Sequence, residues 1–80
     1  MKIKIKLFAL GRELLGKEEL ELQCDDQCRV GFVIEKLKSD YSNFSKLNSF
    51  VVAVNMEYAE MNLILKDGDE IAIIPPVSGG

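Results

Sequence analysis

The sequence predicts an α+β fold, a mixed sheet of four to five strands with one main helix packed on one face and an extended C-terminal tail. The prediction rests on two alternating stretches near the start, one helical stripe in the middle and a final apolar run ended by two prolines. A chain of 80 residues, 48% of them hydrophobic and 29% charged, is typical of a single globular domain with one modest core. We therefore expect a domain over residues 1–74 and a flexible tail over 75–80.

The first two strands are predicted from alternating side chains. Apolar and lysine residues alternate over residues 2–8, and Phe8 puts an aromatic ring on the lysine face. A second alternation runs over residues 18–24. Residues 9–17 between them contain Gly11 and Gly16, so we expect a loop with one helical turn that joins an antiparallel hairpin.

The main helix is predicted from apolar residues at helical spacing. These residues are Val30, Val33, Ile34, Leu37 and Tyr41. Asp25 and Asp26 precede the stripe and are predicted to cap its start, because carboxylates suit a helix N-terminus. We therefore expect a helix over about residues 27–40 that tolerates Gly31, followed by a connector over 44–49.

The second half of the chain supplies the remaining strands. Residues 50–54 predict a third strand, residues 56–61 a short edge strand and residues 66–69 a turn around Gly68. The last strand covers 70–74, with Ile71 and Ile73 facing inward. A right-handed crossover then lets this strand lie parallel beside the first, which is the β-grasp, ubiquitin-like architecture. The predicted core consists of Ile3, Ile5, Leu7, Leu22, Val33, Ile34, Leu37 and Ile73.

Composition argues against several functions. The net charge of −3 disfavours nucleic acid as a partner, which needs a basic face. The start of the chain does not read as a signal peptide, and no apolar run approaches the ~20 residues of a membrane helix, so we expect a cytoplasmic protein that binds no membrane. Cys24 and Cys28 lack further cysteines and any histidine to complete a metal site, and we interpret them as structural thiols. Their spacing permits a disulfide, which a reducing compartment disfavours.

The six-residue ending is the first candidate for function. Pro75 and Pro76 end the last strand and hold the chain extended, because proline donates no ladder hydrogen bond and fixes φ near about −65°. Gly79 and Gly80 follow without side chains, and a thin tip of this kind suits a narrow channel in which the terminal carboxylate reacts. The alternative is a frayed end with no function.

Several stretches together resemble the molybdopterin synthase small subunit. They are Leu7-Phe8-Ala9, Arg12-Glu13-Leu14 with Gly16, Asp67-Gly68-Asp69-Glu70 and the ending Pro75-Pro76-Val77-Ser78-Gly79-Gly80. The resemblance runs along the whole chain, and the ending is its most specific part. Gly11 and Gly31 depart from the family pattern and leave the ending untouched.

The resemblance implies a sulfur carrier with no bound cofactor or metal. In that family an adenylating enzyme activates the terminal carboxylate, here that of Gly80, with ATP, and a sulfur donor converts it to a thiocarboxylate. The tail then enters the large subunit, in an expected heterotetramer of two small and two large subunits, and delivers sulfur to cyclic pyranopterin monophosphate. This chain would supply the substrate group, with Gly79 beside it, and no catalytic side chain of its own. The partner-binding positions implied are Phe8, Arg12, Tyr58, Ile74, Pro75, Pro76, Val77 and Ser78.

Other functions stay open from the sequence. A terminal Gly-Gly also fits a carrier for thiamin or tRNA thiolation, or a ubiquitin-like modifier of proteins. A simple binding module with an inert tail is a further alternative. For Arg12, a solvated loop charge without a role fits as well as a binding role. Independently of the family, the strand parity of Phe8 and Ile74 predicts that both lie on the outer sheet face, where they would share one apolar patch.

Overall fold

The computed structural model describes residues 1–76, which form one five-stranded sheet, two α-helices and one 3₁₀ helix. In chain order these elements are β1 (Lys2–Leu7), α1 (Ala9–Leu15), β2 (Glu19–Gln23), α2 (Val30–Asp40), the 3₁₀ helix (Ser42–Lys46), β3 (Val51–Val54), β4 (Glu57–Tyr58) and β5 (Glu70–Ile74). The strands lie in the order β2-β1-β5-β3-β4.

The strand directions confirm the predicted architecture. β1 and β2 form the antiparallel hairpin, with Ile3 opposite Leu22. β5 lies parallel to β1, with Leu7 opposite Ile73, and antiparallel to β3. The chain therefore has the β-grasp, ubiquitin-like fold that the element order predicts.

The core lies between the sheet and α2. Ile3, Ile5, Ile71 and Ile73 are fully buried on the inner sheet face, and the α2 stripe packs against them. Leu22 is the exception among the predicted core residues, because it is only partly buried and packs against the edge of the core. It lies on β2, an outer strand of the sheet, where only one neighbouring strand shields it.

The predicted start of the main helix is wrong. α2 begins at Val30, its N-cap is Arg29, and no side chain caps it, so Asp25 and Asp26 do not have the predicted role. Carbonyl groups of a later loop replace the cap. The Val30 N–H donates to the Leu63 carbonyl at 3.0 Å and the Gly31 N–H donates to the Met61 carbonyl at 2.8 Å. A Cβ at Gly31 would lie 3.3 Å from that Met61 oxygen, so glycine permits the close approach.

The segment after β1 is a full helix rather than a loop with one turn. α1 ends at Gly16, which has a φ of 71° and donates its N–H to the Arg12 carbonyl, a typical glycine C-cap. Gly11 is buried where α1 packs near the 3₁₀ helix, and a Cβ there would lie 3.7 Å from Leu47. The two glycines that predicted a loop thus lie inside and at the end of a helix.

The predicted connector over residues 44–49 contains core structure. The 3₁₀ helix buries Phe44 completely, and its ring meets that of Phe50 edge to face with the centroids 5.5 Å apart. This aromatic pair closes one end of the core.

Both cysteines are buried free thiols, in agreement with a structural role. Burial is the main cause that raises the pKa of Cys28 to about 12, and the neighbouring Cys24 thiol adds to it. Within residues 1–76, no helix is long and apolar enough to cross a membrane.

Candidate protein-binding face of the sheet

The sheet has an outer face that points away from the core, and its strand register brings apolar residues together there. Ala72 on β5 pairs with Lys6 on one side and with Ala53 on the other, and Ala53 in turn pairs with Tyr58. In the neighbouring row Val51 pairs with Ile74. Phe8 follows the Leu7–Ile73 pair by one residue, and therefore lies beside Ile74 on the outer face.

These residues form what we call the outer patch, which consists of Phe8, Val51, Ala53, Tyr58, Ala72 and Ile74. Within it Ala53 is buried and Ala72 and Ile74 are half-buried, so Phe8, Val51 and Tyr58 supply most of the exposed apolar surface. Tyr58 is 81% exposed and Phe8 is 43% exposed, although both are aromatic. A contiguous apolar surface of this kind is typical of a protein-binding site, whereas isolated exposed apolar residues have no such meaning.

The start of α1 fixes the position of Phe8. Phe8 is the N-cap residue and keeps an extended backbone, with φ −129° and ψ 152°, so it continues the direction of β1. Its carbonyl accepts the Gly11 N–H at 3.0 Å. Ala9 follows with a φ of 47°, a left-handed conformation that is uncommon for a residue with a side chain. This abrupt turn directs the chain away into α1 and leaves Phe8 at the end of the outer patch.

Charged side chains border the outer patch in matched pairs. Lys2 pairs with Glu21 at 3.8 Å, Lys4 with Glu19 at 3.2 Å and Lys6 with Glu70 at 3.7 Å. The hydrogen bond to Glu19 and the charge of that carboxylate raise the pKa of Lys4. The lysines of β1 on the outer face are thus each paired with a carboxylate of β2 or β5.

Arg12 lies next to the outer patch on α1. It shares a shallow groove of about 260 Å³ with Phe8, Lys6 and Glu18. Its Nη1 lies 3.4 Å from Glu18 Oε1, and both side chains are exposed. An exposed pair of this kind is weak, so a partner carboxylate could compete for the guanidinium.

The last described residues extend from the edge of the outer patch. Ile74 and Pro75 are half-buried and Pro76 is exposed. The chain therefore leaves β5 beside Phe8. The predicted site residues Val77, Ser78, Gly79 and Gly80 lie outside the described residues, so the tail over 75–80 stays a prediction.

The structure brings most of the predicted side chains onto one face. Phe8 and Ile74 are neighbours as their parity predicts, Tyr58 lies across β5 and β3 from Phe8, and Arg12 is at the border. The sequence analysis missed Val51, Ala53 and Ala72, which complete the surface between Phe8 and Tyr58. Once the β3–β5 pairing was known, the alternation of side chains along the two strands would have placed all three on the same face as Ile74. Within residues 1–76, no three histidine, cysteine or acidic side chains are grouped to hold a metal ion.

Comparisons with known proteins identify the family. The model of the ThiS family matches residues 5–80. The molybdopterin synthase sulfur carrier subunit of Dictyostelium discoideum is 42% identical over 82 residues, a match that covers 96% of this chain and 94% of that protein.

Solved structures agree with this match. The crystal structure of SAMP1, a small archaeal modifier protein from Haloferax volcanii, has a TM-score of 0.90 and 28% identity, with all of both chains covered. A chain in the complex of subunits 1 and 2 of the molybdopterin-converting factor from Helicobacter pylori has a TM-score of 0.74 and 25% identity, again over all of both chains. Because the family model and the Dictyostelium relative both cover almost the whole sequence, the chain belongs to the ThiS family and is similar throughout to molybdopterin synthase sulfur carrier subunits.

Proposed function

We propose that this chain is the sulfur carrier subunit of a molybdopterin synthase and that the carboxylate of Gly80 carries the sulfur. The observation that supports this most is the match to a sulfur carrier subunit over 96% of the chain, together with the family match over residues 5–80, which includes the ending Pro75-Pro76-Val77-Ser78-Gly79-Gly80. The outer patch adds independent support, because it offers a protein-binding surface beside the root of the ending.

The proposed chemistry begins with activation of the carboxylate. A carboxylate is a poor electrophile, so an adenylating partner enzyme joins it to the AMP part of ATP and releases pyrophosphate. Sulfur from a donor then attacks the acyl carbon and displaces AMP, which leaves a thiocarboxylate on Gly80. Glycine has no Cβ to hinder this attack, and Gly79 lets the backbone pass through a narrow channel. No cofactor is bound to this chain, and ATP is consumed by the partner.

The second step takes place on the large subunit. The thiocarboxylate is ionised near neutral pH and attacks cyclic pyranopterin monophosphate as a nucleophile. Water then hydrolyses the bond between the sulfur and the acyl carbon, which returns the Gly80 carboxylate and leaves one sulfur on the substrate. Two thiocarboxylate chains in succession therefore build the two-sulfur dithiolene of molybdopterin. In this step the chain has a positioning role. The outer patch, with Arg12 at its border, docks on the partner, and Pro75 and Pro76 direct the ending toward the partner's active site. The complex of subunits 1 and 2 from Helicobacter pylori supports a large-subunit partner for this chain. The assembly would be a heterotetramer of two small and two large subunits in the cytoplasm.

The test is the conversion of the carboxylate to a thiocarboxylate. The chain is incubated with the activating enzyme, ATP and a sulfur source, and intact-protein mass spectrometry detects exchange of one oxygen for sulfur. Two matched controls are the chain without Gly80 and the chain with one residue added after it. We expect exchange on the intact chain alone, because the deletion displaces the acyl carbon by up to about 3.5 Å and the addition buries it in a peptide bond. Equal exchange on all three proteins would refute the proposal.

A ubiquitin-like modifier is the second candidate, which the similarity to the archaeal modifier SAMP1 favours. Both functions use an activated carboxylate, so the thiocarboxylate assay does not separate them. A search for isopeptide bonds between Gly80 and lysines of other proteins separates the two functions. We expect none to accumulate when sulfur transfer to the large subunit is intact.

A further inference from the structure

A groove adjoins the outer patch at the start of β3. It has a volume of about 450 Å³, and its lining includes Phe50, Val51, Tyr58, Ala59, Glu60 and Met61. Val51 and Tyr58 belong to both surfaces, so the groove continues the outer patch around the edge of the sheet.

The groove exists because β4 is short. β4 pairs only with Ala53 and Val54, which leaves the first half of β3 without a neighbouring strand on that side. One further bond, from the Ala59 N–H to the Val52 carbonyl at 2.9 Å, holds the chain near β3. Beyond it the chain diverges from β3 and forms the far wall of the groove.

Hydrogen bonds hold this wall in place. The Met61 carbonyl accepts the Gly31 N–H at the first turn of α2, and the Leu63 carbonyl accepts the Val30 N–H. The wall is therefore tied to β3 at Ala59 and to α2 at Met61. Because both ends are fixed, we expect the groove to be preformed, which lowers the entropy cost of filling it.

The lining of the groove indicates what would fill it. Val51 and Met61 are each about half exposed, and the groove surface is mostly apolar, so an apolar side chain would gain by burial there. Glu60 adds a negative charge to the lining, and neither it nor nearby Glu57 forms an ion pair within residues 1–76. The complementary occupant is an apolar side chain with a basic side chain next to it.

We propose that the large subunit inserts such a pair, an apolar anchor beside a lysine or arginine, into the groove. The inference rests on the proposed function and enlarges its docking site beyond the outer patch. It assigns a binding role to Met61 and Glu60, which the sequence analysis did not select. Continuity with the outer patch favours the large subunit over a separate ligand, because a protein seated on Val51 and Tyr58 already borders the groove.

The test measures the affinity of the purified large subunit for variants of the full chain by titration calorimetry. We expect Met61→Ala to weaken the affinity about fivefold to thirtyfold, the range of a moderate interface anchor. Met56→Ala is the matched control, because Met56 is more exposed but lies in the β3–β4 turn and does not line the groove. We expect its affinity to stay within twofold of that of the unmodified chain.

The charge is tested separately through the association rate. Glu60→Lys should slow association severalfold at low salt, because rim charges act mainly on the on-rate. Glu35→Lys changes the net charge by the same amount on the exposed side of α2, and it should have little effect on the association rate. Thermal unfolding of each variant checks the fold, and Met61→Gln, which keeps the side-chain length, replaces Met61→Ala if that variant unfolds.

The outcomes separate the two proposals. If the unmodified chain does not bind the large subunit, the proposed function fails. If it binds and the Met61 and Glu60 variants bind as well and as fast as their controls, the groove is not part of the site, while the proposed function stands.

Discussion

Replacing Phe44 with alanine should remove a large share of the stability of this domain. Phe44 is fully buried in the 3₁₀ helix and stacks edge to face on Phe50. Truncation of a buried phenylalanine costs about 3–5 kcal/mol, because the transfer free energy is lost and a cavity remains. A domain of 80 residues has a total stability of about 4–12 kcal/mol, so the variant should lose between a quarter and all of it.

Phe32→Ala is the matched control for this experiment. Phe32 lies on α2 and is 54% exposed, so the same chemical change should alter the unfolding free energy by no more than about 0.5 kcal/mol. Urea unfolding followed by circular dichroism measures both variants. With a slope of about 1–3 kcal/mol per molar urea, the Phe44 variant should shift the midpoint by at least about 1 M. Equal shifts for the two variants would show that the 3₁₀ helix does not contribute to the core as described.

Three further predictions address the outer patch, a buried thiol and a turn. Phe8→Ala should weaken binding to the activating enzyme or the large subunit by about 1–2 kcal/mol without lowering the unfolding midpoint, and unchanged affinity in calorimetry would remove Phe8 from the site. Because burial raises the pKa of Cys28 from 9.0 to about 12, the folded state keeps a proton that the unfolded chain loses. The free energy of unfolding should therefore fall between about pH 9 and pH 12, and it should fall less steeply in Cys28→Ala. If urea titrations at several pH values give the same pH dependence for both proteins, the prediction is contradicted. Asp69 accepts hydrogen bonds from the Lys66 N–H and the Asn55 amide, so Asp69→Ala should cost about 1–3 kcal/mol in the same assay, and an unchanged midpoint would contradict it.

Local patterns predicted the strands well because burial on one face requires them. The alternation around Ile3 and Ile5, and the paired Ile71 and Ile73, place side chains as the sheet has them. The turn at Gly68 also has the expected positive φ, 84°. A shift of one residue in any of these strands would expose the core, so the pattern determines the register.

The helix boundaries depended on distant residues that no local pattern contains. α2 begins at Val30 because carbonyls of Met61 and Leu63 accept its first N–H groups, although Asp25 and Asp26 are the better local capping residues. α1 forms despite Gly11 because the helix packs against the 3₁₀ helix, where Gly11 is buried; a Cβ there would meet Leu47 at an ordinary contact distance of 3.7 Å, so the site does not require glycine. Tertiary contacts outweighed local propensity at both sites.

The sequence predicted only part of the candidate site, because the rest also depends on residues that are distant along the chain. Parity, together with the predicted parallel pairing of the first and last strands, placed Phe8 beside Ile74, and β1 and β5 are parallel neighbours. The contribution of Val51 depends on the antiparallel register of β3 with β5, and the groove at Met61 depends on the short β4. These features arise from pairing between distant segments.

Sulfur transfer in a single turnover tests the central proposal most directly. The chain is prepared as the thiocarboxylate, mixed with the large subunit and cyclic pyranopterin monophosphate, and compared with the chain that carries an ordinary carboxylate. We predict that the thiocarboxylate form alone yields the dithiolene product, with two chains returned to the carboxylate for each dithiolene formed, as followed by mass spectrometry. Product formed equally from the carboxylate chain, or a thiocarboxylate that persists on a bound chain without product, would contradict the proposal that Gly80 carries the sulfur.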